Sequence, residues 1–186
     1  MAIGTRAASG AEPRRNVPWI TAALLLVVIT AGGCGYRFGA SGGRSILPSD
    51  VKTIEIKSVV NSTTITGIET ELTNDLRAAF ALESEPRLVR SGGDGVLATT
   101  ITAYLDGPTT FKADGKELTR TGTLRAVCSL NRPGNPKAIW GRDFSSSYTY
   151  LVTESIAGTL TNRRDAMSRM VKDLVVRIHR ALYEDF

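Results

Sequence analysis

From Val51 onward the apolar residues change period in a fixed succession: two, then close to four, then two through three further segments, then close to four again. A strand shows alternate residues to its two faces and a helix gathers every third and fourth residue, so this succession predicts strand, helix, three strands, helix. Val51 to Val60 forms the first strand, with Pro48 at its start. Ile54 and Ile56 point one way and Thr53, Glu55 and Lys57 the other. From Gly67 a helix collects Ile68, Leu72, Leu76, Ala79 and Phe80 on one side. Gly92-Gly93-Asp94-Gly95 is a turn, after which Val96 to Leu105 sets Ile101, Ala103 and Leu105 against Thr100, Thr102 and Tyr104. Thr121 to Asn131 places Leu124, Ala126, Cys128 and Leu130 on one face, and the Asp114-Gly115 pair in between signals a hairpin. A second turn, Arg132 to Lys137, leads into Ala138 to Tyr150, with Trp140, Arg142, Phe144, Ser146 and Tyr148 sharing a face. The last helix starts near Thr153 or Thr159 and reaches about Tyr183, with a stripe of Leu160, Met167, Val171, Leu174, Ile178 and Leu182. Arg163, Arg164, Asp165, Lys172 and Asp173 face water. Two amphipathic helices over one face of a four-stranded mixed or antiparallel sheet bury both stripes, so the expected fold is a two-layer α+β sandwich.

The first 33 residues are of a different kind. Arg6, Arg14 and Arg15 precede an apolar run from Trp19 to Ile29, interrupted by Thr21. That run covers about 16 Å as a helix, half of a hydrocarbon core of about 30 Å, which suits an export signal better than a membrane span. Ala31-Gly32-Gly33-Cys34 follows, and resembles a bacterial lipobox with Ala31 where a branched aliphatic is usual. Cys34 is the expected site of lipid attachment. An ordinary signal cut elsewhere, or an uncleaved anchor, is the alternative. The expected organisation is therefore a signal peptide over 1–33, a lipidated glycine-rich tether over 34–47 and one domain over 48–186. Two or three acyl chains, at about 0.8 kcal/mol per buried methylene, make membrane residence effectively permanent. Gly35 stands where an aspartate often signals inner-membrane retention, so the expected location is the outer membrane, facing the periplasm.

Loss of a leader holding three arginines and one glutamate lowers the formal net charge from +5 to +3, a mild excess with no Lys/Arg run of the kind that binds nucleic acid. His179 is the single histidine and lies beside the stripe of the last helix. Together with one unlipidated cysteine, Cys128, it offers no metal-ligand cluster and no nucleophile–base set. No enzyme activity, cofactor or metal is expected. Cys128 reads as a buried thiol without a disulfide partner, and Trp140 as core packing.

Cys34-Gly35-Tyr36-Arg37-Phe38 at the mature start, Leu47-Pro48 with Val51-Lys52-Thr53-Ile54, the helix Glu71-Leu72-Thr73-Asn74-Asp75-Leu76-Arg77 with Phe80, and the terminal Leu182-Tyr183-Glu184-Asp185-Phe186 resemble the LPS-assembly lipoprotein family, LptE. The resemblance spans the mature chain and implies two helices on a four-stranded sheet. It further implies that the domain plugs the lumen of a large outer-membrane β-barrel, the LPS translocon LptD, helps assemble it, and assists lipopolysaccharide transport to the outer leaflet. Lipopolysaccharide carries phosphates, so Lys112, Lys116 and Arg120 in or beside one loop, and Arg132 and Lys137 flanking the next, are the candidate contacts. As plain solvated turn charges they would need no ligand. Two other functions stay open: a periplasmic carrier holding a lipid in an enclosed apolar pocket, and a structural envelope lipoprotein that binds a partner through a free sheet edge.

Overall fold

The structure is a computed structural model, described here for residues 47–183, all within one compact unit. The expected signal peptide, Cys34, almost all of the tether and the terminal Glu184-Asp185-Phe186 lie outside the described residues. The elements are β1 (Thr53–Ile56), β2 (Val60–Asn61), α1 (Ile68–Phe80), β3 (Arg87–Val89), β4 (Gly95–Phe111), β5 (Glu117–Asn131), β6 (Ala138–Leu151) and α2 (Ile156–Tyr183). They form a mixed sheet in the order β3-β1-β4-β5-β6, with β2 pairing separately to β4. β1 is parallel to both β3 and β4, while β4, β5 and β6 form the expected antiparallel meander.

Two details of the sheet differ from the expectation of four strands. The expected first strand is divided into β1 and β2: between them Lys57 N–H bonds Leu97 O, and Ser62 N–H bonds Ile101 O further on. β3 was also not anticipated, because a three-residue edge strand is too short to show a period.

Both helices pack on one face and enclose a single core. Leu72, Leu76 and Phe80 of α1, Leu97 and Ile101 of β4, Leu124 and Leu130 of β5, and Met170, Leu174, Ile178 and Leu182 of α2 are all fully buried in it. Glu69 and Glu71 sit in the first turn of α1, where the helix dipole favours acid, and Glu69 also accepts from Gly67 N–H. Ser155 caps α2 by accepting from Gly158 N–H at 3.3 Å. Ser168 of α2 donates to Glu71 of α1 at 2.6 Å, tying helix to helix. His179 takes the expected boundary position, edge-on to the Phe80 ring and 2.9 Å from Glu83. Trp140 is buried beside Phe144, as expected of core packing.

The face assignment of β4 requires correction. Ile101 pairs with Ala126 and Ala103 with Arg125, so Thr102 is an extra residue opposite none: a β-bulge. Upstream of it Leu97, Thr99 and Ile101 point inward; downstream Tyr104 turns in and Leu105 becomes exposed. β5 has no bulge opposite, and Leu124, Ala126, Cys128 and Leu130 keep their shared buried face as expected.

Candidate functional site

At the end of the sheet where α2 begins, the layer between helix and strands is closed by polar groups. Asp106 of β4 receives four of them. Its Oδ2 accepts from Tyr150 Oη at 2.7 Å and Tyr104 Oη at 3.3 Å and lies 3.2 Å from Arg163 Nε; its Oδ1 accepts from Arg120 Nε at 3.0 Å. Arg120 also donates to Glu117 at 2.7 Å, and Arg163 lies over the Tyr104 ring. These contacts overturn two expectations for α2. Arg163 does not face water, and Leu160 is exposed instead of joining the stripe, because at this level the helix meets carboxylate and phenol groups instead of apolar side chains. Hydrogen bonds to Glu117 and Asp106 hold the Arg120 guanidinium more firmly protonated than usual. Burial, then the Asp106 carboxylate, pushes the Tyr150 phenol up to about 12.

Cys128 is buried against Thr99 Oγ1 at 3.4 Å, and burial pushes its thiol up to about 11. Both raised groups are neutral acids whose charged forms the fold disfavours, so the unfolded chain gives up its protons first. Their contribution to stability is therefore full below about pH 9 and is expected to fall as pH rises from 9 to 12. Denaturant midpoints measured from pH 8 to pH 11.5 test this; a rising midpoint would overturn it.

The structure divides the five candidate cations between two ends. Lys112 and Lys116 stand in the β4–β5 hairpin, closed by Lys112 N–H to Lys116 O and Gly115 N–H to Lys112 O, with Gly115 at φ 81°. Arg120 is three residues into β5, engaged as described. Arg132 and Lys137 flank the β5–β6 turn at the other end, separated from the first group by the length of β5, roughly 48 Å at about 3.4 Å per residue. Arg132 forks onto Asp50, one arm at 3.0 Å, and Lys137 is exposed. Lys116 lies 3.4 Å from Asp114, an exposed pair of the kind that contributes little.

On the face away from the helices, β4, β5 and β6 carry a lattice of hydroxyls: Thr109 to Thr121 and Thr121 to Thr149 at 2.7 Å each, Thr110 to Thr119 at 2.7 Å and Thr123 to Ser147 at 2.8 Å. Leu105 and Val127 are exposed among them. Around the hairpin end Phe111, Leu151, Ile156 and Leu160 are also exposed. Sequence reasoning missed Asp106 and the hydroxyl lattice. The alternation of Thr119, Thr121 and Thr123 was a legible signal for the lattice; Asp106 gave none, because apart from Tyr104 its partners come from three other elements, β5, β6 and α2.

The family model for LptE, described as Lipopolysaccharide-assembly, matches residues 51–182. No curated protein matches the chain. Among solved structures, a lipoprotein of Caulobacter crescentus is 13% identical, with 68% of this chain and 88% of that chain covered at a TM-score of 0.48. A minor lipoprotein of Acinetobacter baumannii is 16% identical, covering 73% and 93% at 0.47. Lipoprotein B of Nitrosomonas europaea is 13% identical, covering 74% and 88% at 0.49.

Proposed function

The chain belongs to the LptE lipopolysaccharide-assembly family, and from that membership we propose that it is an outer-membrane lipoprotein that plugs and helps assemble the LPS translocon β-barrel, LptD, and assists lipopolysaccharide transport to the outer leaflet. The observation that carries this reading is the family match across almost the whole described domain, β1 to α2. Two features of the molecule support it. The space between helices and sheet is filled by fully buried Leu72, Leu76, Leu97, Leu124 and Leu174, where a lipid carrier would need an enclosed cavity. The outward sheet face is rich in hydroxyls that can donate or accept, which suits polar contacts with a water-facing barrel wall.

In this reading residues 1–33 are the signal peptide, 34–47 the tether and 48–186 the plug domain, and Cys34 carries the lipid. Lys112, Lys116 and Lys137 offer ammonium groups to lipopolysaccharide phosphates directly, whereas Arg120 and Arg132 reach a phosphate only by exchanging their carboxylate partners. The mild-detergent isolation of the tagged protein from native outer membranes tests the proposal, with mass spectrometry of partner and mature N-terminus. One large β-barrel protein at equal stoichiometry and an acylated Cys34 are expected; an acylated protein without a barrel partner would overturn it. The anchor raises the local concentration without making the lumen contacts. Overproduced Cys34→Ala protein is therefore expected to bind the barrel still, and loss of all binding would count against the plug.

A further inference from the structure

The outer edge of β6 pairs with no strand among the described residues, although β6 runs for 14 residues. Val152 N–H bonds Leu118 O of β5. In an antiparallel ladder amides alternate between the two sides, so those of Asp143, Ser145, Ser147 and Thr149 point to the open edge. Long edges are usually blunted by proline, lysine or a bulge. Over Phe144 to Leu151 β6 has no proline, no charge and no register shift.

Beside this edge α2 lays down cations. A cleft of about 500 Å³ is lined by Ser146, Ser147 and Tyr148 of β6 and by Arg169, Lys172, Asp173 and Arg177 of α2. A second cleft brings Arg142 and Phe144 to the same helix face. Arg169 lies over the Tyr148 ring at 5.3 Å, and Asp173 is the single acid, held by Arg177 at 2.8 Å. The groove therefore combines a row of unused backbone donors and acceptors with a positive wall.

We propose that the β6 edge receives an extended acidic segment of a partner protein by strand addition, its backbone continuing the sheet and its alternate carboxylates meeting Arg169, Lys172 and Arg142. An isolated phosphate or lipid headgroup would use the cations but not the ladder, and the ladder runs the whole length of the cleft. The inference goes beyond the barrel reading and stands or falls separately from it, since it concerns any acidic strand.

The probe is a fluorescein-labelled decapeptide of alternating Thr and Glu, titrated by anisotropy against the full-length lipoprotein in neutral detergent. Saturable binding is expected, weakened at least 10-fold by the joint Arg169→Glu and Lys172→Glu change. A similar loss is expected for Ser145→Pro, which removes an edge N–H without taking a bond from β5. The same decapeptide N-methylated at alternate amides is expected to bind at least 10-fold more weakly, a comparison needing no protein variant. Binding indifferent to N-methylation and to Ser145→Pro would overturn strand addition. Soluble dihexanoyl phosphatidylglycerol that binds while the peptide does not would assign the groove to anionic lipid instead.

Discussion

Asp106→Ala is expected to destabilise the domain by about 3 kcal/mol, a fall in melting temperature of roughly 6–12 °C for a chain of this size. The carboxylate is 12% exposed and holds two arginines and two phenols at once. Removing it leaves Arg120 with Glu117 and the backbone carbonyl of residue 106, and Arg163 with a phenol, both within a half-buried layer where an undercompensated cation is costly. The arginines are about a quarter to a third exposed, so water recovers part of the loss, and the value lies at the low end for a broken buried pair. Tyr150→Phe should cost about 1 kcal/mol, one hydrogen bond. A double-mutant cycle between the two positions should show coupling, because the Tyr150 hydroxyl has no carboxylate to meet once Asp106 is gone. An Asp106→Ala protein melting within 2 °C of the parent would show that the network closes the layer without holding it.

Gly93→Ala is expected to cost about 3 kcal/mol, read as a lowered denaturant midpoint at unchanged slope. A Cβ on Gly93 would stand 2.7 Å from Glu55 N and 3.0 Å from both Ile54 C and Gly95 O, all backbone, so no side chain can swing away to make room. β1 would have to separate from the start of β4. Its neighbour gives the control. Gly92 has φ 72° and open space around its Cβ direction, so alanine there meets only the left-handed backbone penalty of about 1–2 kcal/mol. Equal effects at the two positions would show that the close approach is relieved.

The two glycines also show where sequence reasoning stops. Gly92 to Gly95 was legible as a turn, but nothing in the order of letters told the position needing a positive φ from the one needing backbone contact. The helices and the meander were legible because each carries a long periodic signal: Leu72, Leu76 and Phe80 in α1, Leu124 to Leu130 in β5. β3, with Arg87, Leu88 and Val89, was not, since its place is set by pairing to β1 and not by its own pattern. The candidate cations were legible as loop residues, yet their separation along β5 and the carboxylates already holding Arg120 and Arg132 emerged only from the register and from Asp50 and Asp106 being brought close. Arg163 was assigned to solvent on helical phase alone, which cannot see that the facing side chains are polar.

The bulge at Thr102 gives the gene for this domain an uneven tolerance. Thr102 is exposed, and a codon change there alters a side chain in contact with solvent. Loss of the codon would only straighten the ladder: without the extra residue Ala103 follows Ile101 in plain alternation and Tyr104 and Asp106 keep their partners and faces, whereas loss of the paired Leu105 would turn either Tyr104 or Asp106 to the wrong side of the sheet. At this one position both the spelling and the letter count are free; in the paired residues just after it the letter count is fixed.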